Sequence, residues 1–431
     1  MKQLLNYYNV VPLIAAILIC LLAYFNVTPG YRPDFKYAFY ANVEFLRQNN
    51  FNFVIYPKLD EDDISKLASV KYIDKHMPDC TFISVFPYQP ISTLVFLPFT
   101  YLNINLATQI WLILNLSTLI ICYKLLAKAF DQNDSKIGKH IAFNFGFLIM
   151  VGSIFISLYL GQTAIIFGLL PITLGVYFSL VKNRYFLSGM IWSLTLFKPQ
   201  FVYLAIILSV SMVLSRNSRH SGLKNLAGFL AGLILQVIFN IVLFGWETFL
   251  RWIHFNQIYA THTAQWVKYL YLNVMTLSLS TIELLNAHHS TYLKLGLFII
   301  SFIGLIFTIL VNLKILNSDK LSEKIKFILI FLVSASSLPI IEFYYCYYDL
   351  VFYPFIYLVL INCFNLDKSK RLLNLSKILL FTITIINLYG LGFRQDSIKF
   401  LPTLMVLFLI TVYGLIVKNS LEMAEEKNII D

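Results

Sequence analysis

Asp34 is the first residue whose type and position suit a chemical reaction. A single carboxylate, held beside a hydroxyl group in a partly desolvated cleft, can act as a general base. Asp34 follows Pro33 and precedes apolar residues at helical spacing, including Phe35, Ala38 and Phe39. This spacing predicts an amphipathic helix at a membrane surface. The alternative is structural, because aspartate is a favoured residue at the N-cap of a helix.

Lys198 is the second candidate, since Lys198 and Pro199 interrupt otherwise apolar sequence. The ammonium group would supply a positive charge for a lipid-linked phosphate, and the proline would expose backbone groups around it. Alternatively, a lysine near a helix end extends to the lipid headgroups. The pair Gly161-Gln162 lies just before another apolar run. It is a weak signal by itself, because glycine commonly ends a helix.

A third candidate region begins at Pro339. Glu342 and Asp349 are seven residues apart, which places them on nearly the same face of a continuous helix, with Tyr344 among the tyrosines between them. Carboxylates and aromatic rings commonly bind sugars, so this segment would suit a pocket wall. The alternative is an aromatic belt at the membrane interface with Glu342 in water.

The composition of the whole chain indicates the elements that must position these side chains. Of 431 residues, 58% are hydrophobic and 13% are charged, whereas soluble domains have about 25% charged residues. The composition predicts an all-α polytopic membrane protein and excludes a soluble enzyme, a disordered chain and a disulfide-stapled secreted domain. Cys80 is the one cysteine in a polar loop, so the sequence predicts neither disulfides nor a zinc site.

About twelve apolar runs are long enough to serve as spanning helices. The stretch 91–102 is shorter and contains Pro98, so we expect a re-entrant or interfacial segment there. The first run has no clear cleavage site and is interpreted as a retained helix. The approximate limits of the runs are 9–27, 106–126, 140–159, 163–181, 185–199, 200–214, 223–245, 293–314, 326–341, 345–362, 376–392 and 400–417.

Basic residues indicate the orientation of the chain. With the N-terminus inside, the loops that carry most of the lysines and arginines fall on the cytoplasmic side, which also accounts for the net charge of +11. Both termini are then cytoplasmic, and the long loops 28–90 and 245–292 are extracytoplasmic. Long loops often carry function. The histidines of the second loop match no metal motif, and we interpret the acidic run 60–63 as a solvated loop rather than a cation site.

The order of short motifs along the chain resembles glycosyltransferase family 87. The resemblance covers approximately residues 31–354 and rests on Pro33-Asp34-Phe35, Tyr88-Gln89-Pro90, Trp111, Gly161-Gln162 and Lys198-Pro199-Gln200. It implies a GT-C-type fold with about 12 transmembrane helices and membrane-surface helices after the first span. Residues 1–417 would form one membrane domain, and residues 418–431 would form a cytoplasmic tail.

The resemblance also implies an activity. A sugar would pass from a polyprenyl-phosphate donor to a lipid-linked or glycan acceptor on the extracytoplasmic face of a bacterial inner membrane, with inversion. Asp34 would be the base and Lys198 would bind the donor phosphate. A base, a cation and positioning could suffice without a metal or another cofactor. Substrate contacts are expected from Gln162, Gln200, Tyr88, Glu342, Tyr344 and Asn273.

The chain departs from the family pattern at several positions. Gln89 replaces the first proline of Tyr-Pro-Pro, Asn-Gln-Ser is only partly kept near Asn273, and Glu342 and Tyr344 stand where the family usually carries Trp and His. Mannose is therefore the sugar expected by resemblance, and another hexose or a pentose stays open. A lipid or glycolipid transporter is the alternative class, but no internal repeat favours it. A glycan polymerase or ligase is disfavoured, because only Arg251 supplies an outer arginine in the second long loop.

Overall fold

The computed structural model describes residues 34–130 except 53–54, 62 and 78–84, residues 157–266 except 159, residues 291–341 and 401–425, and Phe352 and Ile356. Every regular element in these residues is helical. The α-helices are α1 (Ala41–Gln48), α2 (Ala68–His76), α3 (Thr93–Phe96), α4 (Ile104–Phe130), α5 (Leu170–Leu180), α6 (Tyr185–Ser193), α7 (Val202–Leu214), α8 (Arg219–Phe244), α9 (Trp246–Trp266), α10 (Thr291–Leu316), α11 (Glu323–Ile341) and α12 (Leu401–Glu425).

Short helical turns of other types join several of these helices. The π-helices are Phe35–Tyr40, directly before α1, and Ala164–Leu169, directly before α5. The 3-10 helices are Ile64–Lys66, Pro90–Ser92, Leu97–Tyr101, Leu194–Phe197 and Pro199–Phe201.

Eight of the predicted apolar runs coincide with these helices. Among the residues that the structure describes, three helical stretches are long and apolar enough to cross a membrane, namely Ile104–Leu126, Arg219–Phe244 and Ile299–Leu316. Shorter apolar helices accompany them, and the segment Pro90–Tyr101 is one of these, as its length and proline predicted. The described part of the chain therefore fits a polytopic membrane protein. The last helix continues to Glu425, beyond the predicted end of its apolar run.

Several predictions fall on residues that the structure does not describe. These are the first apolar run, most of the run 140–159, the runs 345–362 and 376–392, and the candidate residues Asn273, Glu342, Tyr344 and Asp349. They lie outside the described residues and stay predictions.

Close packing of α6 on α8 fixes the middle of the described helices. Gly228 and Gly232 of α8 are four residues apart, the spacing at which small residues let two helix backbones approach. A Cβ at Gly228 would lie 1.9 Å from the Phe186 carbonyl oxygen, and one at Gly232 would lie 2.2 Å from Ser193 Oγ. Both contacts are on α6, so this spacing holds in place the helix that leads to Lys198.

Basic residues collect at one end of the described helices. Near that end Lys128 of α4 lies 5.8 Å from the ring centre of Tyr177 on α5. Ser215, after α7, donates to Asn317, after α10, at 2.9 Å. Lys314 of α10 binds Glu425 at the end of α12. In the described residues, these contacts link the end of α4 to α5, the end of α7 to the end of α10, and α10 to the end of α12.

The segment that follows Asp34 is buried more completely than an amphipathic pattern predicts. Phe35 and Phe39 are buried, but so are Tyr37, Tyr40 and Ala41 on the other faces. The reason is that α1, α3, α4 and the turn Leu97–Tyr101 all pack around this π-helix. It is an internal element between the long loop and the spanning helices.

Candidate active site

Asp34 directly precedes the π-helix Phe35–Tyr40, but it does not cap it. Its side chain accepts no capping hydrogen bond from the helix. Instead, Asp34 Oδ2 accepts a hydrogen bond from Gln162 Nε2 across 128 residues of sequence. The capping interpretation of Asp34 is therefore wrong, because a distant amide takes the place of the backbone donors.

Gln162 is positioned by the end of the helix before it. Gln162 N donates to Ser157 O at 2.8 Å, and Gly161 N donates to Leu158 O at 3.1 Å. Together with φ +66° at Gly161, these bonds form a Schellman motif, with Gly161 in the left-handed conformation. The structural and the functional interpretation of this pair are compatible, since the helix end directs the Gln162 side chain toward Asp34.

Gly161 also fits a space that admits no side chain. A Cβ there would lie 2.7 Å from Phe35 Cβ, and the Gly161 carbonyl accepts a hydrogen bond from Trp111 Nε1 at 2.9 Å. The Phe35 ring stacks on Trp111 with 5.2 Å between the ring centres. The residue after Asp34 and the residue before Gln162 are thus packed against the same indole.

Lys198 lies in a break between two helical segments. Its backbone is extended (φ −133°, ψ 84°), because a residue before proline avoids the helical region. The turns Leu194–Phe197 and Pro199–Phe201 flank the break. Only 4% of Lys198 is exposed, so its ammonium group stays inside the protein rather than reaching the lipid headgroups. Lys198 Nζ donates to Gln162 Oε1 at 3.5 Å.

One amide therefore joins the two charged candidates. Gln162 Nε2 donates a hydrogen bond to the Asp34 carboxylate, and Gln162 Oε1 accepts one from the Lys198 ammonium group. Burial raises the pKa of Asp34 from 3.8 to about 6, against the opposing effects of the Gln162 hydrogen bond and the Lys198 charge. A carboxyl group with such a pKa is largely ionised at neutral pH and is still a stronger base than an exposed aspartate.

Tyr88 and Gln200 lie next to this chain of groups. Tyr88 OH and Thr163 Oγ1 are 2.6 Å apart and share a hydrogen bond, so Tyr88 supports the residue after Gln162. Gln200 follows Lys198 by two residues, and its Oε1 is buried with no hydrogen-bond partner among the described residues. An acceptor of this kind can receive a hydrogen bond from a hydroxyl group of a bound molecule.

The loop that carries Tyr88 is held at three consecutive residues. Pro87 O accepts a hydrogen bond from Trp252 of α9 at 3.2 Å, and Tyr88 O accepts one from Tyr56. The Gln89 side chain bonds the amides of Gln236 and Asn240 on α8, at 2.9 and 3.0 Å. The three residues Gln89, Gln236 and Asn240 form an amide cluster.

Sequence reasoning missed the amide cluster. Its signal was present, because Gln236 and Asn240 are one helical turn apart in an apolar run, and polar residues at membrane depth rarely lack partners. Asn240 also accepts a hydrogen bond from Ile91 N at 2.8 Å. The cluster therefore attaches the loop before the broken segment 90–101 to a spanning helix.

The comparisons with known proteins bear on what this arrangement does. A model of glycosyltransferase family 87 matches residues 86–335, which is more than half of the chain. The chain belongs to glycosyltransferase family 87. This membership indicates glycosyltransferase activity, with a sugar donor and an acceptor as substrates. Comparisons with curated proteins and with solved structures gave no match.

The part of the chain that matches family 87 contains five of the candidate residues, namely Tyr88, Gln162, Lys198, Gln200 and Asn273, of which Asn273 lies outside the described residues. Asp34 precedes the matched range, yet the structure brings it into hydrogen-bond contact with Gln162. Among the residues that the structure describes, no group of three or more His, Cys, Asp or Glu is arranged to hold a metal ion. The arrangement therefore offers a carboxylate and a cation joined by an amide.

Proposed function

We propose that this family 87 protein is an inverting glycosyltransferase that uses a polyprenyl-phosphate-linked sugar. The acceptor is a hydroxyl group of a lipid-linked or glycan molecule. The observation that carries the proposal is the bridge from Asp34 through Gln162 to Lys198, since it holds a base and a cation side by side. In a GT-C-type arrangement, residues 1–417 form one membrane domain and residues 418–431 its cytoplasmic tail.

The chemistry needs one proton transfer and one charge neutralisation. The acceptor oxygen attacks the anomeric carbon, its proton passes to the Asp34 carboxylate, and the bond from that carbon to the phosphate oxygen breaks. The leaving polyprenyl phosphate gains negative charge in this step. The Lys198 ammonium group stabilises that charge from a buried position, where electrostatic interactions are stronger than in water.

Gln200 and Tyr88 complete the proposed substrate contacts on the described side of the site. Gln200 Oε1, which has no partner in the described part of the chain, suits a sugar hydroxyl rather than a phosphate oxygen, because a phosphodiester has no proton to donate. Glu342, Tyr344 and Asn273 are proposed to contact the sugar or the acceptor from the rest of the chain. The sugar is mannose or another hexose or pentose.

The proposed location is a bacterial inner membrane, with the site on the extracytoplasmic side. The basic end of the described helices supports this orientation through the positive-inside rule. α4 carries Trp111, which contacts Gly161, in its first half and Lys128 in its last turn. Asp34 and Gln162 therefore lie toward the end opposite the basic residues.

Sugar transfer by the purified protein tests this function. The wild-type protein and Asp34→Asn, each in lipid nanodiscs, are incubated with polyprenyl-phosphate mannose, glucose or arabinose and a bacterial lipid extract, and products are identified by mass spectrometry. We expect transfer from one of these donors by the wild type. Loss of a general base lowers the rate by about 100- to 10,000-fold in Asp34→Asn.

Asp63→Asn is the matched control for this experiment. Asp63 is exposed and binds Lys66 and Ser65 in its own turn, so its removal leaves transfer unchanged. Equal transfer by Asp34→Asn and the wild type would exclude Asp34 as the base. Absence of both donor binding and transfer in the wild type would favour the transporter alternative.

A further inference from the structure

Gln162 makes the two charged groups of the site dependent on one another. The amide of Gln162 can satisfy both neighbours in one orientation only, with its N–H toward the carboxylate and its oxygen toward the ammonium group. The reverse orientation would place the amide oxygen against the carboxylate and the amide protons against the ammonium group. A change of charge at one end of this chain is therefore felt at the other.

We propose that binding of the donor phosphate at Lys198 causes Asp34 to bind a proton from solution more readily, with Gln162 coupling the two groups, so that the base becomes stronger when the donor is in place. The inference rests on the proposed function and adds a regulation of that site. A phosphodiester carries one negative charge and pairs with the Lys198 ammonium group. The pairing cancels the positive field that favours the ionised form of Asp34.

Among the described residues, Lys198 is the charged group that changes the pKa of Asp34. On the π-helix after Asp34, Lys36 lies 5.1 Å from the ring centre of Tyr37. The elements packed against this helix carry further titratable or charged side chains. These are Glu44 and Arg47 on α1, Tyr101 in the turn Leu97–Tyr101, and Tyr123, Lys124 and Lys128 in the later part of α4. The short helix α3 has no charged residue. Arg47 lies 5.0 Å from the ring centre of Tyr101, within the range of a cation–π contact.

The direction of the effect follows from linkage. Lys198 lowers the pKa of Asp34, so neutralising Lys198 raises that pKa from its starting value of about 6. The bound donor therefore favours the protonated form of Asp34, and by reciprocity protonation of Asp34 strengthens donor binding. The pKa of Asp34 also moves closer to neutral pH, and general-base catalysis is most effective when the pKa of the base is near the working pH.

Proton uptake on donor binding tests the inference without turnover. Farnesyl methyl phosphate, a phosphodiester that does not titrate near neutral pH, is titrated into the nanodisc-embedded protein by calorimetry at pH 6.5 in buffers of different ionisation enthalpy. If the pKa of Asp34 rises by about one unit, the wild type takes up about half a proton for each molecule bound. Binding also weakens about tenfold between pH 5 and pH 8.

Two variants separate the contributing groups. In Asp34→Asn we expect binding without proton uptake, because asparagine does not titrate in this range. In Gln162→Met, a replacement of similar size that makes neither hydrogen bond, we expect reduced uptake. Asp63→Asn and Gln257→Met are the matched controls; both positions are exposed, and we expect them to behave as the wild type does.

The possible outcomes distinguish this inference from the proposed function. Binding of the phosphodiester by the wild type without proton uptake would overturn the coupling and leave the proposed function standing. Undiminished uptake in Asp34→Asn would overturn the assignment to Asp34, and undiminished uptake in Gln162→Met would overturn the participation of Gln162. Failure of farnesyl methyl phosphate and of the sugar-bearing donors to bind would overturn the proposed function, and the coupling with it.

Discussion

The amide of Gln162 is the residue-scale feature on which the site depends. Asp34 and Lys198 have opposite charges, and Gln162 lies between them as donor to one and acceptor from the other. Glutamate at this position could not donate to Asp34 and would repel it. Methionine would keep the volume and lose both hydrogen bonds, so Gln162→Met isolates the electrostatic role from packing.

The pH dependence of transfer is the first prediction at this scale. Because Asp34 must be ionised to accept a proton, the kcat/KM of the wild type should fall as the pH drops through about 6, the raised pKa of its carboxyl group. The Gln162 hydrogen bond lowers this pKa. In Gln162→Met the fall of kcat/KM at low pH, the acid limb of the pH profile, therefore moves to higher pH. In Gln257→Met the acid limb stays in place.

Initial rates of sugar transfer between pH 5 and pH 8.5 measure these limbs. A wild-type rate that stays constant from pH 8.5 down to pH 5 would mean that the pKa of Asp34 is not raised, and would show that burial does not control the base. A shift toward lower pH in Gln162→Met would show that the Gln162 hydrogen bond does not stabilise the ionised carboxylate.

The sequence named these residues but could not pair them. Asp34, Gln162 and Lys198 each interrupt or border apolar sequence, and the family resemblance gave each of them a role. Their contacts join positions 128 and 36 residues apart, which no local pattern encodes. The capping interpretation of Asp34 failed for the same reason, because the competing donor comes from a distant helix end.

At the scale of elements, the helix end at Gly161 sets the position of Gln162. The Schellman hydrogen bonds and the contact with Phe35 both require the glycine. Any side chain at position 161 meets two obstacles, a left-handed backbone and a neighbouring Cβ at 2.7 Å.

Gly161→Ala should therefore disturb the site more than the fold. We expect the left-handed backbone alone to cost about 1–3 kcal/mol, with a lower melting temperature in nanodiscs. Transfer activity should fall by more than tenfold at temperatures where the protein is still folded, because the Gln162 side chain moves away from Asp34.

Gly414→Ala is the control for this prediction. A Cβ at Gly414 in α12 meets no atom of the described residues within 4 Å, and alanine is the better helix former there. Melting curves and transfer rates of the two variants are compared. Unchanged activity in Gly161→Ala would show that the helix end does not position Gln162.

The sequence predicted the helices better than it predicted how they pack. Long apolar runs predict spanning helices by length alone, and Pro98 and Pro199 correctly predicted interruptions. The spacing of Gly228 and Gly232 was visible but pointed to no particular partner helix. Only the structure identifies that partner as α6.

At the scale of the whole molecule, we predict that the basic end of the described helices and Asp34 lie on opposite sides of the membrane. His220 lies at the start of α8, near the basic end, and Lys58 lies in the loop after Asp34; both are exposed. In chains whose five native cysteines are replaced, His220→Cys should react with a membrane-impermeant maleimide only after permeabilisation. Lys58→Cys should react in intact cells.

Labelling of whole bacterial cells, followed by a shift in gel mobility, measures this arrangement. The reverse pattern would place Asp34 in the cytoplasm and require a cytoplasmic donor. Labelling of both positions from one side would contradict the up-and-down course of the chain.

The amide cluster has a consequence for sequence variation within family 87. By the resemblance, Gln89 stands where the family pattern Tyr-Pro-Pro has its first proline, and the Gln89 side chain is the partner of Gln236 and Asn240. A chain with proline at this position has no amide there, and the two amides on α8 would lose a hydrogen-bond partner. We expect positions 89, 236 and 240 to vary together among relatives, with smaller or apolar residues on α8 wherever proline is kept.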